Sequence, residues 1–205
     1  MTAPGVASQR CSLAEIARAY LLVSATVKCE TAAGCVETIV AAASLMANSL
    51  RGGGKILICG NGGSAADSQH LAAEFVSVLD KNRRRPAMAA IALTTDSSIL
   101  TAITNDFGYA EVFERQVEAL GRAGDVLLGI STSGTSENVI RALKLAVRKQ
   151  MRTIALTGVN AGRVGALAEV VVTIPSSDVQ HIQETHLAVE HLLCLLTETA
   201  LFEGN

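Results

Sequence analysis

The sequence predicts an α/β fold: a three-layer α/β/α sandwich with a five-stranded parallel sheet, preceded by an N-terminal helical hairpin. Two observations carry that prediction. Short runs that are almost continuously apolar recur along the chain, as strands covered on both faces require. They alternate with segments of helical apolar spacing, an order that calls for parallel strands joined by right-handed crossovers.

Taken in order, residues 1–10 (MTAPGVASQR) read as a loose tail. Helical spacing runs from Ser12 to about Lys28 and from about Thr31 to Leu50, so 12–50 is expected to form a hairpin used in oligomerisation. RGGGK at 51–55 ends the helix, and the pattern changes. The apolar runs are KILICG (55–60), AMAAIAL (87–93), DVLLGIS (125–131), RTIALTG (152–158) and EVVVTIP (169–175). Helices are predicted at 64–79, at 96–120 with a break near Asn105 to Gly108, at 136–150, briefly at 162–168, and at 178–201. With no internal repeat and no low-complexity linker, residues 1–205 are expected to form one domain.

The bulk properties narrow the function classes. A net charge of −2 offers no electrostatic footprint for nucleic acid or an anionic membrane, and 3% aromatic residues leave little for base stacking. No apolar stretch reaches the ~20 residues of a membrane span, and a signal peptide's basic and apolar regions are missing. The five cysteines (11, 29, 35, 59 and 194) are odd in number and form no CxxC pair, so they read as reduced thiols. A cytoplasmic protein is expected.

In an open parallel sheet, chemistry sits beyond the carboxyl ends of the strands. Two of the segments there, NGGSAADSQH and STSGTSEN, are rich in Gly, Ser and Thr and lead into helices. Ser131, Thr132, Ser133, Thr135 and Ser136 surround Gly134 just before a helix N-terminus, where backbone N–H groups and the helix dipole favour an anion. One or two hydroxyls would serve as a helix cap; this many suggest a phosphate cradle. The loop has no Walker lysine, which suits a sugar phosphate better than a magnesium-bound triphosphate. Gly60 to Ala65 fits the dinucleotide fingerprint, but the acidic residue such a site needs about 20 positions on is not there. Gly129 and Ser131 are followed by Ser133, so the G-x-S-x-G elbow of a serine nucleophile fails as well.

His70 and Glu74 stand at i and i+4, on one helix face and close enough to share a ligand. A surface pair of this kind contributes a few tenths of a kcal/mol, but Leu71, Ala72, Ala73, Phe75 and Val76 make this helix largely buried, where an idle carboxylate is costly. The remaining histidines, His181, His186 and His191, all lie on the last predicted helix. Gln183 and His191 are ~80° apart around that helix and ~12 Å apart along it. They barely bridge one ion, and the easier arrangement draws them from different copies of the helix at a subunit interface. His181 and His186 read as solvent-facing or structural.

Four segments, GNGGSAADSQHLAAEF, ALTTDSSILTAITNDFGYAEVF, STSGTSENV and IQETHLAVEH, together resemble the sedoheptulose-7-phosphate (phosphoheptose) isomerases of the sugar-isomerase (SIS) domain superfamily. The resemblance spans roughly residues 15–200. It implies the SIS fold, which is flavodoxin-like, and a homotetramer with active sites between subunits. It also implies conversion of D-sedoheptulose 7-phosphate to D-glycero-D-manno-heptose 7-phosphate, the first step toward nucleotide-activated heptose for surface glycans such as lipopolysaccharide. By the same resemblance the substrate loop is Asn61, Gly62 and Gly63 with Ser64 beside them, a second contact is Asn105 and Asp106, and the phosphate loop is Ser131, Thr132, Ser133 and Ser136. Gln183 is a substrate contact too, and one zinc ion per subunit is expected on His70, Glu74, Gln183 and His191. Aldose–ketose isomerisation needs a base for the C1/C2 proton and an acid for the neighbouring oxygen, roles assigned to Glu74 and His191. The KNRRRP segment at 81–86 departs from the family pattern and reads as a solvated loop. Two other readings exist: a non-catalytic SIS-domain protein that binds the replication initiator, and an isomerase or binder of another phosphosugar. The first is expected to lack Glu74 and the final histidine; the H-x-x-x-E and Q-x₇-H pairs speak against the second.

Overall fold

A computed structural model describes residues 11–203; the expected tail at 1–10 lies outside the described residues. Two long helices come first, α1 (Leu13–Gly34) and α2 (Val36–Arg51). Ser12 caps α1 in a reciprocal box: its Oγ accepts from the Glu15 N–H, and its own N–H donates to the Glu15 carboxylate. Nothing near Cys29 breaks the helix, which runs on to Gly34. The axes turn by 73° around Cys35, so the two helices of the expected hairpin meet at an elbow. No single described helix is long and apolar enough to cross a membrane.

The sheet follows the apolar runs: β1 (Ile56–Gly60), β2 (Ala90–Ala92), β3 (Val126–Ser131), β4 (Arg152–Thr157) and β5 (Val170–Thr173). All neighbours are parallel in the order β2-β1-β3-β4-β5, with Ile58 of β1 lying between Ala92 and Leu128. The second strand is shorter than its apolar run, ladder pairing being confined to three residues. Between strands lie α3 (Gly63–Val76), α4 (Ser97–Phe107), a 3₁₀ turn at Tyr109–Glu111, α5 (Val112–Leu120), α6 (Glu137–Arg148) and α7 (Gly162–Gly165); α8 (Val179–Phe202) follows β5. Gly108, with φ of 87°, ends α4 inside the predicted break.

Alternation along the buried strands divides the core into two layers. Ile56 and Ile58 join Met46 of α2, Leu71 and Phe75 of α3, and Val189 and Leu193 of α8 on one face. Leu57 and Cys59 join Phe113 of α5 and Ile140 and Leu143 of α6 on the other. The chain therefore carries α8 back from the sheet edge at β5 to lie against α2 and α3. The order of strands reverses at β1 and β3, whose carboxyl ends are where an open α/β sheet forms its ligand crevice.

The inner side of α8 is unusually polar. His186 is fully buried and its Nε2 lies 3.2 Å from the Thr157 carbonyl oxygen. His181 is buried too, its ring centroid 4.5 Å from that of Tyr20 of α1 in a tilted pair, so neither faces solvent. Burial pushes the His186 imidazole down to about 4 from its ordinary 6.5, the Thr157 carbonyl only partly opposing it. The unfolded chain thus takes up a proton on this residue near pH 6.5, which the folded chain resists until about pH 4, and this residue's contribution to stability is lost as pH falls through that window. In paired denaturant titrations the stability of wild type relative to His186→Gln is expected to fall by about 2 kcal/mol between pH 7 and pH 5.

Candidate active site

Two clusters of candidate side chains lie at the two ends of α3. The first lies at the crevice between β1 and β3. Gly62, at the N-cap of α3, holds φ of 56°, a conformation that disfavours any side chain, so the backbone of the loop is turned by the glycine itself. Asn61 beside it forms a reciprocal amide pair with Asn138 of α6, at 2.9 and 2.8 Å, and the Tyr109 hydroxyl donates to the same Asn61 oxygen at 2.7 Å. Three segments from different parts of the sequence are locked together by these bonds. Neither Asn138 nor Tyr109 was singled out from the sequence, although both lie inside quoted motifs.

In the loop after β3, Ser131 is buried and its Oγ lies 3.0 Å from that of Ser136 and 3.5 Å from that of Ser133. Ser136 occupies the N-cap of α6 without a side-chain capping bond. The hydroxyls therefore converge on one another ahead of the helix N-terminus rather than serving as caps. Thr132 and Ser133 also line a cleft of about 270 Å³ with Asn160, Ser176 and Ile182. Ser64 is buried at the start of α3. Asn105 and Asp106 lie on the exposed end of α4, where the Asn105 amide donates to the Asp106 carboxylate at 2.7 Å. Of that stretch it is Tyr109 that bonds to the Asn61 loop.

The second cluster spans α3 and α8. His70 and His191 bring their Nε2 atoms to 2.8 Å, and the Glu74 carboxylate lies 3.7 Å from His70 Nε2. Either one ring carries a shared proton, or both address a common cation. Candidate ligand atoms of all three residues fall within 4.8 Å of one another. Two imidazoles and a carboxylate form a donor set that suits zinc and leaves a fourth position open. The side chains of His70 and Glu74 are 40% and 20% exposed, so the cluster opens outward. Within one chain His191 already meets His70, and the pair needs no second copy of the helix. The Gln183 amide packs over Gly63, where an added Cβ would lie 2.3 Å from Nε2, two turns of α3 before His70.

Beside the cluster are a buried acid, Glu190, and a half-buried one, Asp67, neither singled out in the sequence. Burial pushes the Asp67 carboxyl up to about 6, the nearby His70 opposing it, and burial together with Asp67 pushes Glu190 up to about 9. Among the described residues, both Glu190 oxygens and Asp67 Oδ2 have no hydrogen-bond partner. Glu190 is thus neutral at pH 7, which relieves the cost of a second buried charge next to Asp67.

Residues 20–158 match the SIS domain family. Phosphoheptose isomerase from Maridesulfovibrio salexigens is 56% identical over 168 residues, covering 82% of this chain and 81% of that protein. The chain belongs to the phosphoheptose isomerase family. The Akkermansia muciniphila phosphoheptose isomerase is 51% identical over 84% of this chain and 88% of its own length. Among solved structures, the Neisseria gonorrhoeae phosphoheptose isomerase superposes with a TM-score of 0.86 at 46% identity, covering 92% of this chain and 100% of that one. The fold is therefore that of a phosphoheptose isomerase, with the parallel sheet flanked by helices on both faces.

The amide lock at the crevice is open to a direct check. Asn138→Ala removes both bonds to Asn61 and strands a partly buried amide, and is expected to cost about 1–3 kcal/mol of stability in urea unfolding.

Proposed function

We propose that the chain is an aldose–ketose isomerase that converts D-sedoheptulose 7-phosphate to D-glycero-D-manno-heptose 7-phosphate through an enediol. The observation that carries this reading is the His70–Glu74–His191 cluster in a member of the phosphoheptose isomerase family. A carboxylate and an imidazole within reach of one another are what removal of a proton next to a carbonyl, and its return to the neighbouring carbon, require. Glu74 is the base that takes the C1/C2 proton. His191 exchanges a proton with the carbonyl oxygen as the enediol forms and collapses. The serine loop, Ser131, Thr132, Ser133 and Ser136, holds the phosphate, while Asn61, Gly62, Gly63 and Ser64, with Gln183 above Gly63, hold the sugar. Asn105 and Asp106 contribute a further sugar contact.

His70, Glu74 and His191, which stand together, are assigned with Gln183 to one zinc ion per subunit; Gln183, whose amide lies over Gly63, also contacts the substrate. A zinc ion bound there supplies polarisation of the substrate's carbonyl oxygen. The assembly is a cytoplasmic homotetramer whose active sites lie between subunits. Supporting this, the outward-facing cluster is accompanied on α3 and α8 by exposed Val76, Leu187 and Leu192, and α1 exposes Leu13, Ile16, Leu21 and Leu22. The presence of both Glu74 and His191 argues against a non-catalytic initiator-binding relative.

Incubation with sedoheptulose 7-phosphate, with and without chelator, tests the activity through appearance of the aldose phosphate. Glu74→Gln and His191→Gln are each expected to lower kcat by about 10²–10⁴-fold while melting curve and oligomer size stay those of wild type. Near-normal turnover in either variant removes that residue from the mechanism.

A further inference from the structure

The arginine-rich segment that reads as a solvated loop contains one arginine of a different kind. Arg83 pairs with Glu203 at the surface, but the Arg85 side chain is 6% exposed and that of its partner Glu198 is 10% exposed. Nε of Arg85 donates to Glu198 Oε1 at 2.5 Å, Nη2 to the Glu74 carbonyl at 2.7 Å, and Nη1 to the carbonyls of Phe75 and Pro86 at 2.8 and 3.1 Å. Glu74 and Phe75 are in the last turn of α3, where carbonyls have no partner within the helix and a cation is favoured by the dipole. Glu198 lies on α8, two turns beyond His191. One guanidinium therefore grips the backbone of the residue that bears the carboxylate and, at the same time, the helix that bears the imidazole.

We propose that Arg85 is a positioning residue of the isomerase site, a strut that sets Glu74 against His191 by joining the end of α3 to α8. The proposal rests on the assignment of Glu74 and His191 made above. A planar fork spans three carbonyls and a carboxylate from one side chain; a lysine ammonium is a single point and does not. The strut meets the site through the backbone and leaves the serine loop untouched. Its loss therefore acts on metal affinity and turnover more than on capture of the phosphate.

The test uses the full chain as wild type, Arg85→Lys, Arg85→Met, Glu198→Gln and His70→Ala, at a temperature where each melting curve shows a folded protein. Zinc affinity is read by competition with a chromophoric chelator, and kcat and KM with sedoheptulose 7-phosphate. Both Arg85 variants are expected to lose about tenfold in zinc affinity and about tenfold in kcat, with KM within about twofold of wild type. Glu198→Gln is expected to move the same quantities in the same direction, and it carries the comparison if the Arg85 variants do not fold. A lower melting temperature with unchanged zinc affinity and kcat makes Arg85 an ordinary structural ion pair and overturns the proposal. If His70→Ala binds zinc and turns over as wild type does, the assignment of the site has failed, and the strut falls with it.

Discussion

The side-by-side packing of α3 and α8 on one face of the sheet is the contact on which the rest of the site depends. Leu71 and Phe75 of one helix and Val189 and Leu193 of the other share a core layer with β1 and β3, fully or almost fully withdrawn from water. Burial of this kind contributes roughly 1.5–3 kcal/mol per large side chain, far more than any pairing on the exposed side. The apolar residues fix the helices; the histidines and Glu74 are carried to their meeting by that packing. Gly63 adds a local condition, since a Cβ there would meet the Gln183 amide and displace it.

The same interface is polar at its centre, which is costly unless the groups are neutral. Burial keeps His186 uncharged and raises Glu190 far enough to hold its proton, leaving Asp67 as the acid nearer to an ordinary carboxylate. His70, Glu74 and His191 meet on the open side of the same seam. Arg85 supplies the complementary cation at the far end of α3, where helix carbonyls and Glu198 receive it. The fold thus separates two tasks. The crevice between β1 and β3, tied by Asn61, Asn138 and Tyr109, presents amides and hydroxyls, whereas the α3–α8 seam presents groups able to move protons or hold a metal.

What could be read in the sequence was what is local. The strands stood out because parallel strands covered on both faces have no polar side, and their runs hold β1, β2, β3, β4 and β5 with ends displaced by a few residues. The glycine and serine loops stood out for the same reason, as the chemistry of a turn before a helix is written in consecutive residues. The destination of α8 was not legible, because it depends on how a helix leaving β5 at the sheet edge crosses back to α3. The spacing of Gln183 and His191 pointed to donors from different copies of the helix; it did not reveal that His191 meets His70 on α3 of its own chain. Arg85 was hidden by composition: KNRRRP is hydrophilic throughout, and only the tertiary structure distinguishes the buried guanidinium from its neighbours. The elbow at Cys35 was missed because helical periodicity reports where helices run, not the angle at which they meet.

Subunit mixing tests most directly whether the working cluster is assembled from α3 and α8 of a single chain. His70→Ala and His191→Ala variants are each expected to be inactive; they are then unfolded, combined and refolded together so that oligomers contain both kinds of chain. If His70, Glu74 and His191 act from one chain, no subunit in the mixture holds a complete set, and isomerisation of sedoheptulose 7-phosphate stays at the level of the separate variants. Recovery of a substantial fraction of wild-type activity in the mixed oligomers would show that the donors are shared between chains and would contradict this account.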